Sequence, residues 1–66
     1  MITLNGEASE GAGRTIAELL AGLDVPPEGR GVAVAVDAEV VPRGEWGTHV
    51  LTEGARVEVV TAVQGG

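Results

Sequence analysis

The sequence has no cysteine, no lysine, no phenylalanine and no tyrosine. Without cysteine there are no disulfides to staple a small chain, no thiolate metal ligands, and no thiol on which the chain itself could carry sulfur as a persulfide. Without lysine, catalytic Schiff-base chemistry and self-conjugation through a lysine side chain are excluded. A single histidine, His49, gives no cluster of metal-ligating side chains and leaves thin choices of nucleophile and base for an enzyme. Positive charge is equally scarce. Arg14, Arg30, Arg43 and Arg56 stand against ten carboxylates, for a formal charge of −6. So acidic a chain repels a phosphate backbone, which argues against nucleic-acid binding and suits a protein partner with a basic docking face. Long apolar runs are missing too. Met1-Ile2-Thr3-Leu4 shows neither a charged n-region nor an apolar stretch, so neither a signal peptide nor a membrane span is expected, and the expected location is the cytoplasm.

What remains is 66 residues, enough for one small domain that buries about 60% of its unfolded surface. Ile2 and Leu4 alternate with Thr3 and Asn5 as a half-buried strand. Asn5-Gly6 favours the positive φ angles of a type I′ turn and predicts a hairpin, with a weak, polar edge strand over Glu7 to Glu10. Thr15 and Glu18 have the spacing of a capping box. Ile16, Leu19, Leu20 and Leu23 then fall on one face of a two-turn helix that Gly22 stops, with Pro26-Pro27 preventing continuation. Val32-Ala33-Val34-Ala35-Val36 reads as a strand, Asp37-Ala38-Glu39 as a tight turn, and Val40-Val41 as a short strand ended by Pro42. Arg43 to Gly47 reads as irregular chain with one turn of 3₁₀ helix. Arg56 to Val63 is the last strand, with Val57 and Val59 on one face and Glu58 and Val60 on the other.

The order hairpin, helix, hairpin, final strand predicts an α+β fold. It is a mixed sheet of four to five strands with one main helix packed on one face. With the first and last strands parallel neighbours, this is the β-grasp, or ubiquitin-like, arrangement. Residues 1–63 form the expected single domain and 64–66 a flexible tail.

The chain ends Gln64-Gly65-Gly66. A terminal glycine carboxylate on a small folded body is the handle an acyl-activating enzyme requires. Glycine, lacking Cβ, lies extended in a channel too narrow for a side chain. The competing reading is a frayed glycine end. Gln64 is either a hydrogen-bonding residue in such a channel or a solvated linker. Val60, Ala62 and Val63, just before the tail, form a partner-docking patch if they point away from the helix, or ordinary core if they do not. The Val59-Val60 pair prevents alternation from deciding. Trp46, the one aromatic residue, is read as core in preference to an interface anchor. Arg43 and Glu45 read as solvated loop charges and His49 as surface or structural. No residue has the pattern of an intrinsic catalytic group.

Four segments carry a resemblance: Ile2-Thr3-Leu4-Asn5-Gly6-Glu7, Ala33 to Val36, Val40-Val41-Pro42-Arg43-Gly44-Glu45-Trp46, and Arg56 through Gly66. Together they resemble the ThiS family of sulfur carriers in thiamin thiazole biosynthesis. The chain departs from the family's usual residues at Asp37, Gly44 and Ala55, all turn or edge positions. The resemblance implies that an E1-like adenylyltransferase of ThiF type uses ATP to adenylate Gly66. A persulfide from a cysteine desulfurase system then leaves a thiocarboxylate. A ThiG-type thiazole synthase accepts the sulfur. It also implies that the chain binds no cofactor. Two alternatives stay open: a related carrier serving molybdopterin or another sulfur-containing metabolite, and a plain ubiquitin-like binding module that needs no free glycine. A short polar edge strand favours a monomer when the chain is free.

Overall fold

The computed structural model describes residues 1–23 and 31–61. Five strands run in chain order as β1 (Ile2–Leu4), β2 (Glu7–Ser9), β3 (Val32–Val36), β4 (Glu39–Val41) and β5 (Arg56–Thr61). One helix, α1 (Ile16–Ala21), lies between β2 and β3. The sheet order is β2-β1-β5-β3-β4, with β1 and β5 parallel and every other pair antiparallel. The last strand therefore occupies the middle of the sheet, as the β-grasp order requires. Several bounds are tighter than the sequence suggests. Glu39 already pairs with Val36, so the turn is Asp37-Ala38 alone. The return strand stops at Ser9, and the helix ends at Ala21 with Leu23 packed on the core just beyond it. The expected continuation of β5 through Ala62 and Val63 lies outside the described residues.

Both hairpin turns are built from positive φ. Asn5 and Gly6 sit at 51° and 86°, and Asp37 and Ala38 at 52° and 70°. The first pair is the favoured Asn-Gly solution. Ala38 is an L-residue with no local hydrogen-bonding side chain, so its left-handed conformation carries a cost of about 1 kcal/mol.

A six-residue helix is too short to be stable in isolation, and its ends show what holds it. Thr15 accepts from the Glu18 N–H at 3.1 Å while Glu18 accepts from the Thr15 N–H at 2.9 Å, a complete capping box. The two preceding amide groups are taken by a distant loop: Ile16 donates to the His49 carbonyl at 3.1 Å and Ala17 to the Trp46 carbonyl at 3.0 Å. The first-turn donors, Ile16, Ala17 and Glu18, are thus all committed, and none remains to cradle a phosphate. Thr15→Ala removes one half of the box and is expected to lower stability by about 1 kcal/mol. A urea titration should then show a reduced midpoint at unchanged slope.

The core joins Ile16, Leu19 and Leu20 of the helix to Ile2, Val34, Val36, Val41 and Val57 of the sheet. Trp46, Leu51 and Ala55 close its edges. Gly11 is enclosed as well: a Cβ there would meet Cδ1 of Ile2 at 2.8 Å. In the small, polar stretch after β2, position 11 is therefore a glycine because the chain there passes directly over a core isoleucine.

Candidate functional site

Alternation along β5 is regular once Val57, fully buried, sets its phase. Val57 and Val59 face the helix, whereas Arg56, Glu58 and Val60 face away from it. Val60 is 62% exposed. The register places Ala33 opposite Val60, Ala35 opposite both Glu58 and Val40, and Thr3 opposite Arg56. Val40 is 75% exposed. Ala33, Ala35, Val40 and Val60 therefore share the open face of the sheet as one apolar patch on three adjacent strands, with the carboxylate of Glu58 beside it. A contiguous apolar patch next to a charge has the composition of a docking surface.

Of the interface residues expected from sequence, Val60 lies on this open face. Ala62, Val63, Gln64, Gly65 and Gly66 lie outside the described residues. Sequence reasoning missed Ala33, Ala35 and Val40. The available signal was size: valine and alanine alternate strictly in β3, the valines face inward, and the alanines are left for the open face.

Trp46 is 7% exposed, and its indole Nε1–H donates to the Val41 carbonyl at 3.0 Å. It plugs the end of the core with its polar edge satisfied, as expected. A one-turn 3₁₀ helix at Arg43–Glu45 brings it there, and the Trp46 N–H bonds the Arg43 carbonyl at 3.1 Å. Glu45 is exposed, and its carbonyl takes the His49 N–H at 2.9 Å. His49 serves through its backbone, as the helix-capping carbonyl described above. Among the described residues, no three His, Cys, Asp or Glu side chains come together as metal ligands, and no helix is long and apolar enough to cross a membrane.

The strand leading to the diglycine is tied on both edges. On the β3 side the ladder runs from Val36 opposite Val57 to Val32 opposite Thr61. On the β1 side, the Thr3 N–H donates to Ala55 and the Asn5 N–H to Val57, each at 2.9 Å. At the start of β5, the Asp37 N–H donates to the Arg56 carbonyl at 2.7 Å. The Asp37 carboxylate accepts from the Arg56 N–H at 3.0 Å. The body thus presents a central strand whose C-terminal end carries Val60 on the open face and leads directly into the last residues of the chain.

Comparison with known proteins converges on one family. The ThiS family model matches residues 2–66. The sulfur carrier protein ThiS of Escherichia coli (strain K12) is 33% identical over 66 residues, covering 98% of this chain and 97% of that protein. A thiazole synthase of Magnetococcus marinus (strain ATCC BAA-1437 / JCM 17883 / MC-1) is 46% identical over 66 residues. That match takes in 98% of this chain but only 20% of the synthase. The crystal structure of the thiamine biosynthesis protein ThiS from Geobacter metallireducens superposes with a TM-score of 0.75 at 29% identity, covering 98% of this chain and 97% of that one.

Proposed function

The chain belongs to the ThiS family, and from that premise we propose that it is a sulfur carrier whose Gly66 carboxylate is the loaded group. A carboxylate is a poor electrophile, so loading begins with activation. The Gly66 carboxylate attacks the α-phosphorus of ATP in the active site of an E1-like adenylyltransferase, pyrophosphate leaves, and an acyl adenylate forms. The terminal sulfur of a persulfide, supplied by a cysteine desulfurase system, attacks the acyl carbon and displaces AMP. A thiol then reduces the resulting acyl disulfide, leaving the thiocarboxylate. Gly65 and Gln64 pass through the partner's channel. The acceptor is a thiazole synthase, which uses the thiocarboxylate sulfur as a nucleophile to build thiazole phosphate. The chain is a co-substrate and binds no cofactor of its own; ATP belongs to the activating partner.

The observation that carries this reading is that the family match runs through Gly66. The strand before it, β5, is the centre of the sheet, which offers a rigid base for a tail. Likeness to a stretch making up a fifth of a thiazole synthase supports that enzyme class as acceptor. Reconstitution with desulfurase, cysteine labelled in its sulfur, ATP, adenylyltransferase and thiazole synthase tests it. The label is expected in the thiazole product. Label retained on the chain but absent from thiazole would instead point to another sulfur acceptor.

Within this reading, Val60, Ala62 and Val63 belong to the docking surface, joined by Ala33, Ala35 and Val40. Val60→Asp sets a charge on the β5 side of that patch, next to Ala33, without touching the core. Burying an unpaired carboxylate against a partner costs several kcal/mol at full desolvation. At least a tenfold rise in the KM for the carrier is expected in the adenylation assay, with far-UV circular dichroism unchanged.

A further inference from the structure

Strand β1 pairs with β5 only as far as Leu4 opposite Val57, because the main chain turns away at Asn5 and Gly6. The backbone groups that face β1 recur every second residue, from Ala55 just before β5 to Val57 and then Val59 within it. The first two are met by the main chain of β1. Val59 is met by a side chain. Its N–H donates to Oδ1 of Asn5 at 2.8 Å, and its carbonyl accepts from Nδ2 of Asn5 at 3.2 Å. The carboxamide presents an acceptor and a donor in the plane of the sheet, as a peptide group does. It therefore extends the parallel ladder one step beyond the point where β1 leaves.

Resting on the carrier reading above, we infer that Asn5 is a positioning residue for the C-terminal segment. Among the described residues, it holds the last β1-side anchor of β5 on the way to Gly66. The same clamp fixes Val59 between Glu58 and Val60, and so fixes how Val60 is presented on the open face. Without it, among the described residues, the ties left at the end of β5 are those to β3 on its other edge. Loosened residues must be re-ordered when the segment enters a partner, and each residue fully freed would weaken docking by roughly five- to thirty-fold. Because the β3 ladder persists, the expected loss is smaller, about three- to tenfold. It falls on KM, since the docked complex is unchanged once formed.

The turn itself requires φ near 51° at position 5. Asn5→Gly keeps that conformation and deletes the amide. Asn5→Asp keeps the acceptor for the Val59 N–H but sets a carboxylate oxygen against the Val59 carbonyl. Asp37→Gly is the control: it removes the corresponding side-chain tie at Arg56, at the far end of β5. Two readouts are taken on the full chain. Amide exchange by NMR reports the Val59 N–H against Val57 and Val34. Pyrophosphate release with the adenylyltransferase and ATP gives KM and kcat for the carrier.

In Asn5→Gly, Val59 exchange should accelerate at least about tenfold relative to Val57, and KM should rise by about three- to tenfold with kcat within about twofold of the parent. Asn5→Asp should fall between, and Asp37→Gly should leave KM unchanged. Unaltered exchange at Val59 would overturn the clamp. Accelerated exchange at unchanged KM would overturn its positioning role, as would an equal KM rise in Asp37→Gly or a rise that merely tracks global unfolding at Val34 in both Asn5 variants. Failure of the parent chain to be adenylated at all would instead strike the carrier reading and take this inference with it.

Discussion

Deleting Gly66, or adding a single residue after it, is expected to abolish sulfur loading while leaving the folded body intact. Removal shifts the reacting carboxylate back by one residue, about 3.6 Å along an extended chain. Productive attack requires atoms within about 3–3.5 Å in alignment, and a misplacement of 1 Å alone can cost about a hundredfold. An added residue converts the Gly66 carboxylate into an amide, which cannot attack ATP at all, and carries the new terminus past the reacting centre. Both variants should lose at least two to three orders of magnitude in pyrophosphate release with the adenylyltransferase. Their thermal midpoints should match the parent, because the core from Ile2 to Val57 does not include these positions. Retained function in the extended variant would favour a ubiquitin-like binding module over a carrier.

Trp46→Ala should have the largest effect on stability. The indole is 7% exposed, closes the end of the core beside Val41, and donates its N–H to the Val41 carbonyl. Truncating a buried aromatic residue costs about 3–5 kcal/mol. A chain of 66 residues has a total of about 3–10 kcal/mol at typical values per residue, so the variant should be marginally folded or unfolded at room temperature. The loop is implicated too, because the Trp46 carbonyl caps the Ala17 amide at the start of the helix. Denaturation followed by far-UV circular dichroism checks this without relying on the tryptophan signal. Trp46→Phe, which keeps most of the volume but leaves the Val41 carbonyl without its donor, should lose less, with the missing hydrogen bond contributing about 1 kcal/mol. A stable Trp46→Ala chain that fails to dock with its partners would make the residue an interface anchor instead.

The features legible in the sequence were those whose causes are local. Asn5-Gly6 specifies its own turn, Thr15 and Glu18 specify the helix start, and a run of valines and alanines specifies β3. The order of these elements is compatible with β5 beside β1, because few arrangements bury one helix face and one sheet face together, and the structure supplies the pairing itself. The site was only partly legible. The Val59-Val60 pair offers two apolar residues for opposite faces, and only the burial of Val57 in three dimensions decides which one is open. Ala33 and Ala35 give no hydropathy contrast with their valine neighbours, so the rest of the patch is hidden. The clamp from Asn5 to Val59 spans 54 positions. Nothing near Asn5 announces it, since an asparagine before glycine is already accounted for by the turn. The enclosure of Gly11 over Ile2 and the burial of Ala55 are likewise contacts between distant segments, and small residues leave no periodic trace.

The most direct test of the carrier account is the intact mass of the chain after incubation with ATP, cysteine, desulfurase and the adenylyltransferase. The account predicts a gain equal to exchange of one oxygen for sulfur, present in the parent chain and absent when Gly66 is deleted. An unchanged mass, under conditions where the same partners load an established carrier, would contradict it.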